Sequence, residues 1–313
     1  MKRICMLSAL VAAMFATAPL FMGNFYLNLG SQMMIAAVFA LSFNVLVGYA
    51  GLTSLGHAAF LGLAAYLSAW LTTRAGFGHG AAALLSIAGT TIVAGLFGLV
   101  ALRASGLGFL MITLALSQVL WGLAYRWVSV TNGDNGMTRL TRPMPFDVSI
   151  ESAASFYWFA LIVTLVAFIL ITIFVRSAFG ASLQGTRDQG RRMSALGFNV
   201  WMIRWIAFIY AGFWGGVAGL LYVYYNKYIH PSSLSITTSA EGILGVIAGG
   251  SGTLIGPIIG AALITFLKNF VSSYLDRWNM LLGFVFLIIV VVMPDGIVSG
   301  VRWLNARIRE LCK

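Results

Sequence analysis

Long apolar runs separated by short polar stretches set the pattern of this chain. They cover Ile4–Met22, Leu29–Tyr49, Leu55–Thr72, Ala81–Leu102, Leu107–Tyr125, Phe156–Val175, Trp205–Tyr225, Ser239–Phe270 and Met280–Ile297. Most approach the roughly 20 residues that carry a helix across a bilayer. The Ser239–Phe270 run is interrupted. Its centre, Ile247–Pro257, reads IAGGSGTLIGP, and the glycines and proline there cannot continue one helix. Irregular backbone at membrane depth is tolerated only where it is buried or lines a cavity. The pattern therefore predicts an all-α polytopic membrane protein of about 8–10 transmembrane or half-membrane helices. A broken, re-entrant pair is expected near 239–270, within a single transmembrane domain over 1–313.

One long polar island interrupts the second half. Arg176–Arg204 carries Arg176, Arg187, Asp188, Arg191, Arg192 and Arg204. Short loops rich in Lys and Arg resist translocation, so this loop belongs on the cytoplasmic side. Glycines at 180, 185, 190 and 197 divide it into two short helices with a kink. Asp188 is placed to cap the second, Met193 and Leu196 share one face, and Gly197 closes it in the left-handed conformation. A basic loop that only sets topology and a docking element for a soluble partner both fit this composition. Counting crossings from a cytoplasmic N-terminus puts the Arg126–Ser152 loop outside, where TNGDNGMT (Thr131–Thr138) reads as tight turns. The basic tail after Gly300 then lies inside. The N-terminal stretch also resembles a secretory signal peptide with cleavage near Ala18, although an uncleaved first span over Ile4–Met22 is the preferred reading.

Composition agrees: 60% of residues are hydrophobic and 9% charged, against about a quarter charged in soluble domains. The net charge of +11 sits mostly at the ends of apolar runs. It reads as positive-inside bias and attraction to anionic lipid, not as a nucleic-acid surface. Cys5 and Cys312 lie at the chain ends, and His57, His79 and His230 are scattered without metal-ligand spacing. No Gly-rich P-loop is present, so the chain has no such ATP site of its own. Gly249–Gly252 spells a GxSG, but all three histidines precede Ser251, which argues against an intramembrane serine protease.

Few residues remain as candidate chemistry. Glu241 is placed at membrane depth, where acids are costly and mark functional sites; a capping role at the outer interface is its plainer alternative. His57 either relays protons or bonds substrate, or satisfies a backbone carbonyl at a close helix contact. Asn44, His57, Glu241, Gly249, Gly250 and Gly252 form the candidate lining of a conduit, with the glycine break offering free backbone groups along it.

Six ordered stretches resemble one family, the LivH/LivM-type permeases of branched-chain amino-acid ABC importers, the LivM branch most closely. They are Ala40–Tyr66, Gly106–Leu120, Thr131–Met137, Ser177–Asn199, Ser239–Ala261 and Met293–Gly300. The resemblance implies a bacterial inner-membrane protein with both termini cytoplasmic. Its partners would be a second, LivH-like permease subunit, two cytoplasmic ATPase subunits and an extracytoplasmic substrate-binding protein. By the same resemblance this chain would bind no cofactor of its own, and its partner subunits would use ATP. The polar island resembles the ATPase-coupling loop, with Arg187, Asp188, Ala195, Leu196 and Gly197 on the family pattern and Arg191 and Arg192 beside them. Gly190 stands where a Glu is usual and Met193 where an Ala is usual. The alternatives are a permease for urea or short amides, a membrane subunit without a conduit, and an ion-coupled secondary transporter. The last needs ionisable pairs inside the membrane, and only Glu241 and His57 stand out for it.

Overall fold

The computed structural model describes residues 23–138, 140–143 and 150–272, with 280, 283, 284, 287 and 296 beyond them. The expected first span over Ile4–Met22, nearly all of the last crossing and the basic tail lie outside the described residues. Among the described residues the architecture is helical, and the one β feature is an isolated antiparallel bridge between Met137 and Ile229.

Five helices are long and apolar enough to cross a membrane. They are α1 (Asn24–Asn44, extended by a π-helical turn Val45–Ala50), α3 (His79–Ala101), α4 (Leu107–Arg126), α5 (Ala153–Arg176) and α7 (Val200–Asn226). Shorter apolar helices are α2 (Ala58–Thr73), α8 (Ile236–Gly249) and α9 (Gly256–Ser272). The polar island forms α6 (Ala178–Ala195). The long helices follow the apolar runs closely; α7 starts five residues ahead of its run, because Asn199 caps it by accepting a bond from Met202 N at 3.0 Å.

Helices α1 and α7 form the spine. Helix α1 packs against α5, α7, α8 and α9, while α7 packs against α1, α2 and α3. Small residues permit this closeness. A Cβ at Gly219 would lie 2.0 Å from the Leu61 carbonyl oxygen of α2, and one at Gly212 would lie 2.3 Å from the Ala94 Cβ of α3. The expected break in the Ser239–Phe270 run is present: α8 and α9 lie side by side as a hairpin whose turn covers 250–255. Gly250 and Gly252 supply its positive φ values of 114° and 77°.

At the end opposite the polar island, the expected tight turns are formed by Asn132, Gly133 and Gly136, with φ of 65°, 60° and 66°. Arg142 fastens this loop to α7. Its guanidinium donates to the carbonyls of Tyr224 (3.0 Å), Tyr225 (3.3 Å), Ile150 (3.1 Å) and Glu151 (2.9 Å). Two of these are orphan carbonyls of the helix C-terminus, which a buried cation satisfies well. The same guanidinium stacks 4.6 Å from the Phe156 ring centroid.

Candidate translocation site and coupling helix

The polar island is helical through most of its length but kinks at Gln189, whose φ and ψ are −148° and 77°. The two expected pieces are there. Asp188, expected as the cap of the second, instead pairs with Arg187 at 3.0 Å, and the break falls one residue later. Gly197 does close the helix with φ of 89°, and Phe198 N bonds Met193 O at 3.1 Å across the end. The expected apolar stripe is divided. Met193 turns back over Gly185 across the kink, whereas Leu196 stays 67% exposed.

The halves of α6 differ in their surroundings. In the first half Leu183 and Thr186 are fully buried, and Arg204 of α7 donates to the Thr186 carbonyl at 2.9 Å. Beyond the kink, Arg191, Arg192, Ala195, Leu196 and Gly197 are all exposed. One half is therefore anchored and the other presents cations and apolar surface outward.

Arg187 sits at the seam. Its Nη1 donates to the carbonyl of Gly48 in the π-helical turn, and its stem lies over Gly51, where a Cβ would be 2.6 Å from Arg187 Cγ. Gly51 needs its freedom twice over, for that contact and for its φ of 69°. The same turn reaches the α8–α9 break. Asn44, fully buried at the end of α1, donates to Thr253 O at 2.8 Å and accepts from Gly252 N at 3.0 Å. Gly48 lies so close that a Cβ would be 2.4 Å from Gly252 N. Arg187, Gly48, Asn44 and Gly252 are thus one contiguous cluster, although the sequence places them in three separate stretches.

Above this cluster, toward the opposite end, a cavity of about 390 Å³ opens between α1, α7, α8 and α9. Glu241 lines it and accepts two bonds from Lys268 Nζ, at 3.0 and 3.1 Å. Neither group is deeply hidden, their side chains being 31% and 43% exposed respectively. Behind the pair a short amide chain is fixed: Asn269 Nδ2 donates to Gln32 Oε1 at 2.8 Å, and Gln32 Nε2 to Tyr225 OH at 3.0 Å.

Of the expected path residues, Glu241 is the one that lines the cavity; Asn44 and Gly252 are joined in the clasp at the hairpin turn, and Gly249 and Gly250 stand where α8 ends and that turn begins. His57 lines neither. Its ring is fully buried among Phe39, Phe43 and Phe60, and its Nε2 lies 2.8 Å from Ser42 Oγ. Ser42 sends its single proton to Phe39 O at 2.7 Å, so His57 Nε2 is the donor in that bond. The partner is a hydroxyl near the end of the preceding helix α1, not a backbone carbonyl. Among the described residues no group of three or more His, Cys, Asp or Glu is placed to hold a metal ion.

Sequence reasoning missed Lys268, Gln32 and Asn269. The signal for Lys268 was present: folding the run at its glycine break lays Glu241 and Lys268 alongside each other, within about one helical turn of equal distance from the turn.

The six ordered stretches, the broken helical pair and the helix wedged against it all point one way. Residues 25–292 match the family described as branched-chain amino acid transport system / permease component. The chain belongs to that family. It is 23% identical over 309 residues to the high-affinity branched-chain amino acid transport system permease protein LivM of Escherichia coli K12, covering 91% of this chain and 72% of the relative. LivM of Salmonella typhimurium LT2 is 22% identical over the same coverage. The autoinducer 2 import system permease protein LsrC of Salmonella paratyphi B is 27% identical over 182 residues, 56% of this chain and 50% of its own length. No solved structure matches.

Proposed function

We propose that this permease is one membrane half of an ABC importer for branched-chain or related amino acids, driven through α6 by ATPase subunits at the cytoplasmic face. The Arg-rich end is then cytoplasmic, and the cavity faces the side from which a binding protein delivers substrate. A second permease subunit completes the path. The carrying observation is the contact of Arg187 with the Gly48 carbonyl, one residue cluster away from the hairpin turn.

The mechanism follows from what α6 touches. ATP-driven closure of the ATPases moves the exposed half beyond Gln189, which is docked through Arg191, Arg192 and Leu196. The anchored half passes that motion to the π-helical turn through Arg187. Asn44 then shifts relative to Thr253 and Gly252, loosening the clasp beneath the cavity. Packed elements with two arrangements transmit such motion because their contacts differ between states.

Co-purification and proteoliposome uptake test this. Reversal of Arg191 and Arg192 to Glu removes the co-purified ATPase. Arg187→Ala keeps the ATPase and its hydrolysis but lowers uptake by an order of magnitude or more, about the effect of one charge-assisted contact. A wild-type chain that brings down no ATPase, with uptake that collapses when an ion gradient is removed, overturns the reading in favour of a secondary transporter. The Glu241–Lys268 pair is the kind of group such a transporter would use.

A further inference from the structure

We propose that the Tyr225 hydroxyl is a solute-binding donor in the cavity, held in one direction to meet a carbonyl or carboxylate oxygen, with Gln32 and Asn269 as the residues that position it. The inference rests on the importer reading for the identity of the solute, but the direction of the bond is argued from the structure alone. Gln32, Tyr225, Thr265 and Asn269 all line the cavity of about 390 Å³, and hydrogen bonds join them in a row. Asn269 Nδ2 donates to Thr265 O at 2.9 Å and to Gln32 Oε1 at 2.8 Å, and Gln32 Nε2 donates to the Tyr225 oxygen at 3.0 Å.

A side-chain amide can be turned end for end, so the direction of such a row has to be set by a group that cannot. The Thr265 carbonyl is that group, because it can only accept. Turning Asn269 over would set its Oδ1 against that carbonyl oxygen. With Nδ2 fixed, Gln32 faces it with Oε1, which turns Nε2 toward Tyr225. Both protons of Asn269 Nδ2 are spent, so any further bond of that residue falls on Oδ1 and leaves the direction unchanged. The Tyr225 oxygen is thereby the acceptor of the last bond, and its own proton remains to be given. Among the described residues Gln32 is the one hydrogen-bond partner of that hydroxyl.

The ring behind the hydroxyl is fixed as well. It packs on Phe156 with centroids 5.6 Å apart, and the Tyr225 backbone carbonyl accepts from Arg142 at 3.3 Å. A donor held in place at a cavity wall selects for an oxygen acceptor, since a solute without one leaves the proton unmet. Ile35, Phe39 and Leu61 line the same cavity and suit an aliphatic part. The chemical class is thus a small aliphatic solute with a carbonyl or carboxylate group. The Glu241–Lys268 pair keeps its own bonds throughout.

The test is equilibrium binding of L-leucine, 4-methylpentanamide and 3-methylbutan-1-amine to the purified full chain in nanodiscs, alongside ATPase co-purification. The amine is leucine without its carboxylate. Tyr225→Phe keeps the ring and removes only the hydroxyl. It is expected to weaken L-leucine about tenfold and 4-methylpentanamide about threefold, and to leave the amine, which has no acceptor oxygen, unchanged. Gln32→Glu tests the direction. At about pH 8 the new carboxylate is ionised and can only accept, so Tyr225 turns its proton onto it. The neutral 4-methylpentanamide then loses about threefold in affinity, although the hydroxyl is present and no charge repels the probe. Equal weakening of all the probes by Tyr225→Phe, unchanged binding of L-leucine by that variant, or no binding of L-leucine by wild type overturns the proposal. So does Gln32→Glu with wild-type affinity for the amide, which decides the matter if Tyr225→Phe does not fold. The expected pattern without any associated ATPase removes the importer reading and keeps the donor. Failure of the pattern with ATP-driven uptake intact removes the donor alone.

Discussion

Helices α5 and α7 make an instructive pair. The Ala153–Arg176 segment has the highest mean hydropathy of the long spans, 2.9, yet only 28% of its most apolar window is buried within the protein. Val200–Asn226 has the lowest, 1.7, and is 67% buried. In a water-soluble protein the order would be reversed, since the most apolar segment would make the core. Here the solvent is itself apolar. Large aliphatic residues such as Ile162, Ile169 and Ile173 of α5 face outward, while α7 turns Gly212, Ala218 and Gly219 into the seam. Closeness of backbones, not avoidance of water, selects the core of this fold.

That contrast can be broken at two places. The largest effect is expected at the seam: Gly219→Val drives a side chain against the Leu61 carbonyl, with a cost above about 3 kcal/mol, the upper end of overpacking. Thermal unfolding in detergent should show loss of a monodisperse folded species. A wild-type melting profile would mean that α2 and α7 are not in contact there. Next comes Ile162→Lys on the outward face of α5. If that face meets lipid, the charge costs up to about 3 kcal/mol, read as reduced membrane insertion, while Ile162→Leu is neutral. Insertion unaffected by lysine would place that face against water or a polar partner instead.

The smallest effect concerns the loop end, outside the contrast of α5 and α7 but attached to both. The hydrogen bond from Lys227 holds the Glu151 carboxyl below its usual range. A carboxylate with a lowered folded-state value stabilises the fold above its unfolded value and loses that contribution as pH falls through the folded one. The group is solvent-exposed, so the change is slight. Faster amide exchange around 150–153 below the ordinary carboxylate range, absent in Glu151→Gln, would register it; identical exchange in both would discount the pair.

Much of the candidate machinery was legible before folding, because it was written in local chemistry. Gly249–Pro257 broke the helix where expected, and Gly197 closed the helix of the polar island as its backbone allows. Where the expectation slipped, a neighbour in space outcompeted one in sequence. Asp188 paired with Arg187 instead of capping, and Met193 packed across the kink on Gly185. His57 found Ser42 through a helix pairing that no local pattern encodes, whereas the pairing of Glu241 with Lys268 follows once the run is folded at its glycine break.

The sequence by itself determined the class of the protein, the placing of the apolar helices among the described residues, the hairpin break and the cationic segment between α5 and α7. Each depends on the chain's preference for lipid, water or a particular φ, which single residues and short runs carry. Only the tertiary structure decided which apolar faces meet, and with that the joining of Arg187, Gly48, Asn44 and Gly252 into one clasp and the closing of a cavity around Glu241 and Lys268. Helices apolar on every side give no periodic hint of their neighbours; contact follows from where glycines let two backbones approach.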